Sequence, residues 1–214
     1  LNSPHAILLR ADSGEVLAEK DADSTIYPAS MTKMMTALLA IEANPDLDTP
    51  VTLPEEIFPA LQAQNASLAG FQAGETATVR DLLYGAMLPS GAECCEALAR
   101  EVSGSEEAFV QLMNQKAAEL GMENTHFACC AGLDNEGHYS TARDIALMSR
   151  ALLRYPKITD YTTIWMDTLR GGATSLVNTN RLVRFYQGAT GLKTGTTNGA
   201  GCCLSASASR DGLG

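Results

Sequence analysis

Basic residues are scarce in this chain: 15 Lys and Arg stand against 25 Asp and Glu in 214 residues, a formal net charge of -10. No Lys/Arg cluster is present to neutralise a row of phosphates, which excludes a broad nucleic-acid-binding role. Long apolar runs are missing as well, and none approaches the roughly 20 residues that a membrane-spanning helix needs. Leu1 does not begin a signal peptide, so the chain reads as processed or excised. Histidine is rare: His5, His126 and His138 lack metal-ligand spacing and are expected to be structural or surface residues with no catalytic role. The six cysteines form three adjacent pairs, Cys94-Cys95, Cys129-Cys130 and Cys202-Cys203. Metal sites normally space their Cys ligands by two or more residues, so no metal is expected. Buried free thiols are the plain reading, with long-range disulfides near a cleft left open for an exported protein.

What is there is an ordinary soluble composition, 45% hydrophobic and 19% charged, in a chain long enough to bury a substantial core. Its chemistry begins at Ser30-Met31-Thr32-Lys33. The run from Met31 to Glu42 is rich in helix formers and closes near Asn44-Pro45, so Ser30 opens a helix. A residue three positions on shares that face about one turn away, which lets the Lys33 amine reach the Ser30 hydroxyl. Serine is a weak nucleophile until a base takes its proton, and a lysine serves only if desolvation or a second cation lowers its pKa. Lys193 is the candidate for that second cation. The helix start adds N–H groups and a positive dipole end, both favourable to an oxyanion. Alone, Ser-x-x-Lys is equally the signature of an N-cap and a solvated lysine.

The second piece lies far downstream. Gly188 to Gly201, followed by Cys202 to Ser209, reads as strand, glycine-rich turn, strand. Lys193 and Thr194 offer an ammonium and a hydroxyl for a substrate carboxylate, and Gly195 leaves room for a ligand against the strand backbone.

Elsewhere the pattern is structural. His5–Arg10 and Glu15–Lys20 around Asp12-Ser13-Gly14 read as a β-hairpin. Ser103-Gly104-Ser105-Glu106 reads as a capping box, followed by Phe109, Leu112, Met113, Ala117 and Leu120 at helical spacing. Ser140-Thr141 starts a helix carrying Ile145, Met148, Leu152 and Leu153, ended by Pro156. With strands expected only at the two extremes, the layout is α+β: a sheet lobe from about 1–45 and 166–214, and a mostly helical lobe over about 46–165. A cleft between the lobes would hold the site.

Taken together, Ser30-x-x-Lys33, Ser90-Gly91-Ala92 and Lys193-Thr194-Gly195 resemble the three motifs of penicillin-binding proteins and serine β-lactamases. More closely, the chain resembles the low-molecular-weight D-alanyl-D-alanine carboxypeptidases, through Tyr27-Pro28-Ala29-Ser30, Asp81 to Gly85, Gly121 to Phe127, His138 to Ala142 and Asn178 to Leu182. The resemblance implies a β-lactamase/transpeptidase-like fold, an antiparallel sheet from both chain ends flanked by helices. It also implies one more central strand and a terminal helix beyond the hairpin turn at Arg210 to Gly214. The single catalytic domain, 1–214, is therefore expected to be C-terminally incomplete and to continue, with any membrane anchor lying in segments absent from this chain.

The implied activity is that of a serine-type D-alanyl-D-alanine carboxypeptidase of the cell envelope, exported, acting on peptidoglycan stem peptides and acylated by β-lactams, with no cofactor. Ser30 would be the nucleophile, Lys33 its base and Ser90 a proton relay to the leaving amine. Lys193, Thr194, Gly195 and Thr196 would bind substrate, Thr196 sharing the oxyanion with the Ser30 N–H. One block departs from the family pattern. Ala92 stands where the second motif usually has Asn, whose side chain helps hold the lysine and the substrate amide. Its loss is compatible with lower activity, altered specificity or replacement by another polar group such as Glu93. Three other readings stay open: a non-catalytic penicillin- or wall-binding module, a DD-endopeptidase and a β-lactamase. Against the last, the helical region has no Glu-x-x-x-Asn of the kind that positions water in class A enzymes.

Overall fold

A computed structural model describes residues 2–210, 212 and 214. The chain opens with the expected hairpin, β1 (Ala6–Leu9) antiparallel to β2 (Val16–Lys20). A 3-10 turn, Ala29–Thr32, runs directly into α1 (Lys33–Ala43). Every residue of α1 from Lys33 to Ile41 is buried, as a helix apolar on all sides must be.

Around α1 come β3 (Pro50–Thr52), α2 (Ile57–Ala63), β4 (Thr76–Thr78), α3 (Val79–Met87), α4 (Ala92–Ser103), α5 (Glu106–Glu119), α6 (Ala142–Leu152) and α7 (Pro156–Thr162). The last part holds β5 (Met166–Leu169), β6 (Thr174–Val177), the short α8 (Leu182–Phe185) and the long hairpin β7 (Ala189–Thr197) and β8 (Gly201–Ala208). α1 packs against α3, α4 and α6, so the helix that follows Ser30 is the spine of the core.

Local sequence explains most boundaries. Thr78 and Asp81 form a reciprocal capping box at α3, and Thr141 caps α6 by accepting the Asp144 N–H. Pro156 supplies the first turn of α7. At α5 the expected box is replaced by a simpler cap: Ser105, not Ser103, accepts the Ala108 N–H, because the helix begins two residues later than a Ser103 cap requires.

One further feature differs from expectation. Strands are not confined to the extremes, since β3 pairs with β4 inside the helical region. The chain ends each form an antiparallel hairpin, β1–β2 and β7–β8, that packs against α6, but among the described residues the two hairpins are not hydrogen-bonded to one another. The turn expected at Arg210 to Gly214 includes Asp211 and Leu213, which lie outside the described residues.

Candidate active site

Ser30 sits in the 3-10 turn, just after Ala29, whose φ of +48° is strained for a residue with a Cβ. The step of three residues does what helix geometry requires: Lys33 Nζ lies 3.1 Å from Ser30 Oγ and donates to it. The lysine's second partner is the Ala131 carbonyl at 2.6 Å, from the loop between α5 and α6. Lys33 is 2% exposed, so its amine is held between a serine and a carbonyl with little access to bulk water.

β7 lies alongside this turn. A Cβ on Gly195 would stand 2.9 Å from the Ser30 nitrogen and 3.0 Å from the Ala29 Cβ. The bare position therefore admits the backbone of the serine turn. The next strand residue, Thr196, is exposed at the cleft. Thr194 hydrogen-bonds through its hydroxyl to that of Thr179.

Lys193 is 1% exposed and its Nζ donates to the Thr194 carbonyl at 3.0 Å. Burial first, and the nearby Lys33 charge second, pull its pKa down from 10.5 to about 7. The sequence offers Lys193 as a cation acting on Lys33; the lowered pKa found here is that of Lys193 itself.

Ser90 has φ +73° and is 7% exposed, and its hydroxyl has no hydrogen-bond partner. It is not the N-cap of α4; Gly91 holds that place without any side-chain cap. Ser90 Oγ is thus a buried hydroxyl on strained backbone whose hydrogen-bonding capacity is unused.

Ala92 is buried at the cleft, and Glu93 does not take over the missing amide. Helix phase turns Glu93 to the opposite side, where its Oε1 accepts the N–H groups of Ala69, Gly70 and Phe71 at 2.7, 3.0 and 3.4 Å. Glu93 therefore anchors the loop between α2 and β4, and burial raises its pKa.

Ser30, Lys33, Ala92, Thr196, Thr197 and Asn198 line a cleft of about 760 Å³ that continues along α4 to Glu96 and Arg100 and to Glu106 of α5. Glu96 and Glu106 come close to Cys130, their ligand atoms within 4.8 Å of one another. Arg100 pairs with Glu96, and Glu106 accepts the Cys130 N–H at 3.0 Å, so protein groups already occupy these carboxylates. All six cysteines are free thiols, Cys94, Cys95 and Cys130 buried, Cys129 and Cys203 half-buried, and Cys202 exposed. This matches the plain reading of buried thiols for Cys94, Cys95 and Cys130, but not for the exposed Cys202 or the half-buried Cys129 and Cys203.

Sequence reasoning missed the loop behind the serine turn. Cys130 and Ala131 contribute only carbonyls, to Thr36 Oγ1 at 2.7 Å and to Lys33, and a backbone group leaves no trace in residue type. Gly132 was the available signal: at φ +87°, a Cβ there would stand 1.9 Å from the Ala29 carbonyl oxygen, so only glycine lets this loop reach the turn.

The family model described as D-alanyl-D-alanine carboxypeptidase matches residues 1–213. D-alanyl-D-alanine carboxypeptidase DacF of Bacillus subtilis is 44% identical over 97% of this chain and 54% of its own length. DacC of Escherichia coli, with the same description, is 39% identical over 95% of this chain and 52% of its own. Among solved structures, the Streptomyces K15 DD-transpeptidase superposes with a TM-score of 0.94 at 32% identity, covering 100% of this chain and 87% of that one. The chain spans about half the length of these two carboxypeptidase relatives.

Proposed function

The chain belongs to the D-alanyl-D-alanine carboxypeptidase family, and on that premise we propose that it removes the terminal D-alanine from peptidoglycan stem peptides through an acyl-enzyme on Ser30. One observation carries the reading: Lys33 Nζ, 2.6 Å from the Ala131 carbonyl, is aimed at Ser30 Oγ at 3.1 Å on the wall of an open cleft. That distance is within the reach of a general base.

Lys33 is assigned as the base that takes the Ser30 proton as Oγ bonds to the carbonyl carbon of the penultimate D-alanine. The carbonyl electrons move to oxygen, and the N–H groups of Ser30 and Thr196 are assigned to that oxyanion. Lys193 and the Thr194 hydroxyl are assigned to the terminal carboxylate. Collapse of the intermediate breaks the C–N bond, and the proton held on Lys33 passes through Ser90 Oγ to the departing amine. Water then attacks the ester, returning the proton to Ser30 and releasing the shortened peptide. A β-lactam carries a carboxylate beside a strained amide and enters the same path at the first step. No step calls on a cofactor. The place of action is the extracytoplasmic cell envelope, where the substrate resides.

The test is intact-protein mass after exposure to a penicillin, for wild type and Ser30→Ala, together with D-alanine release from a peptide ending in D-Ala-D-Ala. An adduct and D-alanine release from wild type, both absent in Ser30→Ala, are expected. Adduct formation without D-alanine release would turn the reading to a binding module. No adduct at all would overturn it.

A further inference from the structure

His138 was given no role on sequence grounds, yet it is 1% exposed and lies directly behind the nucleophile turn. Both ring nitrogens have partners. Nδ1 accepts the Ala128 N–H at 2.9 Å, which leaves the ring proton on Nε2, and Nε2–H donates to Thr32 Oγ1 at 2.7 Å. Thr32 stands between Ser30 and Lys33 and is completely buried. The ring packs on Phe127, with centroids 5.8 Å apart, and Cys129 Sγ lies 4.0 Å from Nδ1. Burial keeps the ring uncharged through the neutral range, its pKa pulled to about 4, with His126 lowering it further and Asp134 raising it. The donor and acceptor pattern is therefore fixed.

We propose that His138 is a positioning residue for acylation: by clamping Thr32 to the Ala128 backbone, it sets the Ser30 turn against the loop whose Ala131 carbonyl aims Lys33 at Ser30 Oγ. This rests on the reading of Ser30 as the nucleophile. The loop meets the serine turn and α1 at three points, His138 to Thr32, Ala131 O to Lys33 and Cys130 O to Thr36. Of these, the histidine is the one that also grips the loop's own backbone, at Ala128. At 3.1 Å the Lys33–Ser30 contact is already at the long end of the range for proton transfer. A displacement of about 1 Å is enough to cost on the order of 100-fold in rate.

The test uses the limiting acylation rate and the half-saturating concentration of a penicillin, measured separately by rapid mixing. His138→Phe fills the volume with neither bond and is expected to lower the limiting rate about 10- to 100-fold, with half-saturation changed less than about twofold. His138→Gln, which can again donate to Thr32, recovers most of that rate. Thr32→Val removes only the acceptor and gives a similar loss, and adding it to His138→Phe lowers the rate no further. If His138→Phe does not fold, Thr32→Val alone decides, and a wild-type rate there overturns the proposal. So does a loss in His138→Phe that affinity and melting temperature share and that His138→Gln does not recover. If wild type itself forms no adduct, the assignment of Ser30 fails first, and this proposal with it.

Discussion

Replacing Lys193 with methionine is expected to stabilise the folded chain at neutral pH while removing the group proposed to hold the substrate carboxylate. Lys193 is 1% exposed, and burial followed by the Lys33 charge lowers its pKa from 10.5 to about 7. Between those two values the unfolded chain binds the proton more readily than the folded one, so stability rises with pH across this window and the penalty is complete below about pH 7. At about 1.4 kcal/mol per pH unit, the penalty is about 5 kcal/mol. Methionine has a similar length and no charge to desolvate. It also removes the donor to the Thr194 carbonyl, 3.0 Å away, which costs about 1–3 kcal/mol. The net gain at pH 6 is then about 2–4 kcal/mol, or roughly 5 to 15 °C in melting temperature for a chain of this size. The gain should shrink as pH rises toward 9, where wild-type Lys193 is already neutral in the fold. Thermal unfolding of both proteins at pH 6 to 9 checks this, with penicillin acylation measured alongside. A variant less stable than wild type at pH 6, with a difference that does not change with pH, would refute the reasoning.

Glu93→Ala should cost about 2–4 kcal/mol in urea unfolding, because three backbone N–H groups lose one buried acceptor; Glu93→Gln keeps an acceptor and should cost far less. Because burial raises the Glu93 pKa, the folded carboxyl holds its proton longer than the unfolded one. Wild-type stability should therefore fall relative to that of Glu93→Gln as pH rises from 4 to 7, and a difference independent of pH would count against the burial argument. Gly132→Ala meets the Ala29 carbonyl oxygen at 1.9 Å and is expected to lose acylation at least 100-fold; a variant that acylates normally would show that the loop yields freely. In the native protein a maleimide should label Cys202 first and leave Cys94, Cys95 and Cys130 untouched until denaturant is added, since all three are fully buried and burial pushes the Cys95 pKa to about 12. Mass mapping that finds those three labelled early would contradict the packing around α4.

Where a relation is local, the sequence determined it. Three residues along a helical turn place Lys33 beside Ser30 whatever the rest of the chain does, and the alternating pattern with its glycine-rich turn dictates the β7–β8 hairpin that carries Lys193. The caps at Thr78 and Thr141 are equally local. Tertiary structure decided whatever depended on a backbone group or on an approach between distant segments. The carbonyl that holds Lys33 comes from Ala131, 98 residues away, and any residue type would supply it. Gly195 meets the serine turn only once β7 is laid against it, and Glu93 looked like a substitute amide until α4 fixed its phase toward Ala69. His138 belonged to a visible motif, but its partner Thr32 lies 106 residues earlier. Side-chain identity states which bonds a residue can make; the packing of α1 against the loop of residues 128–132 selects which of them it does make.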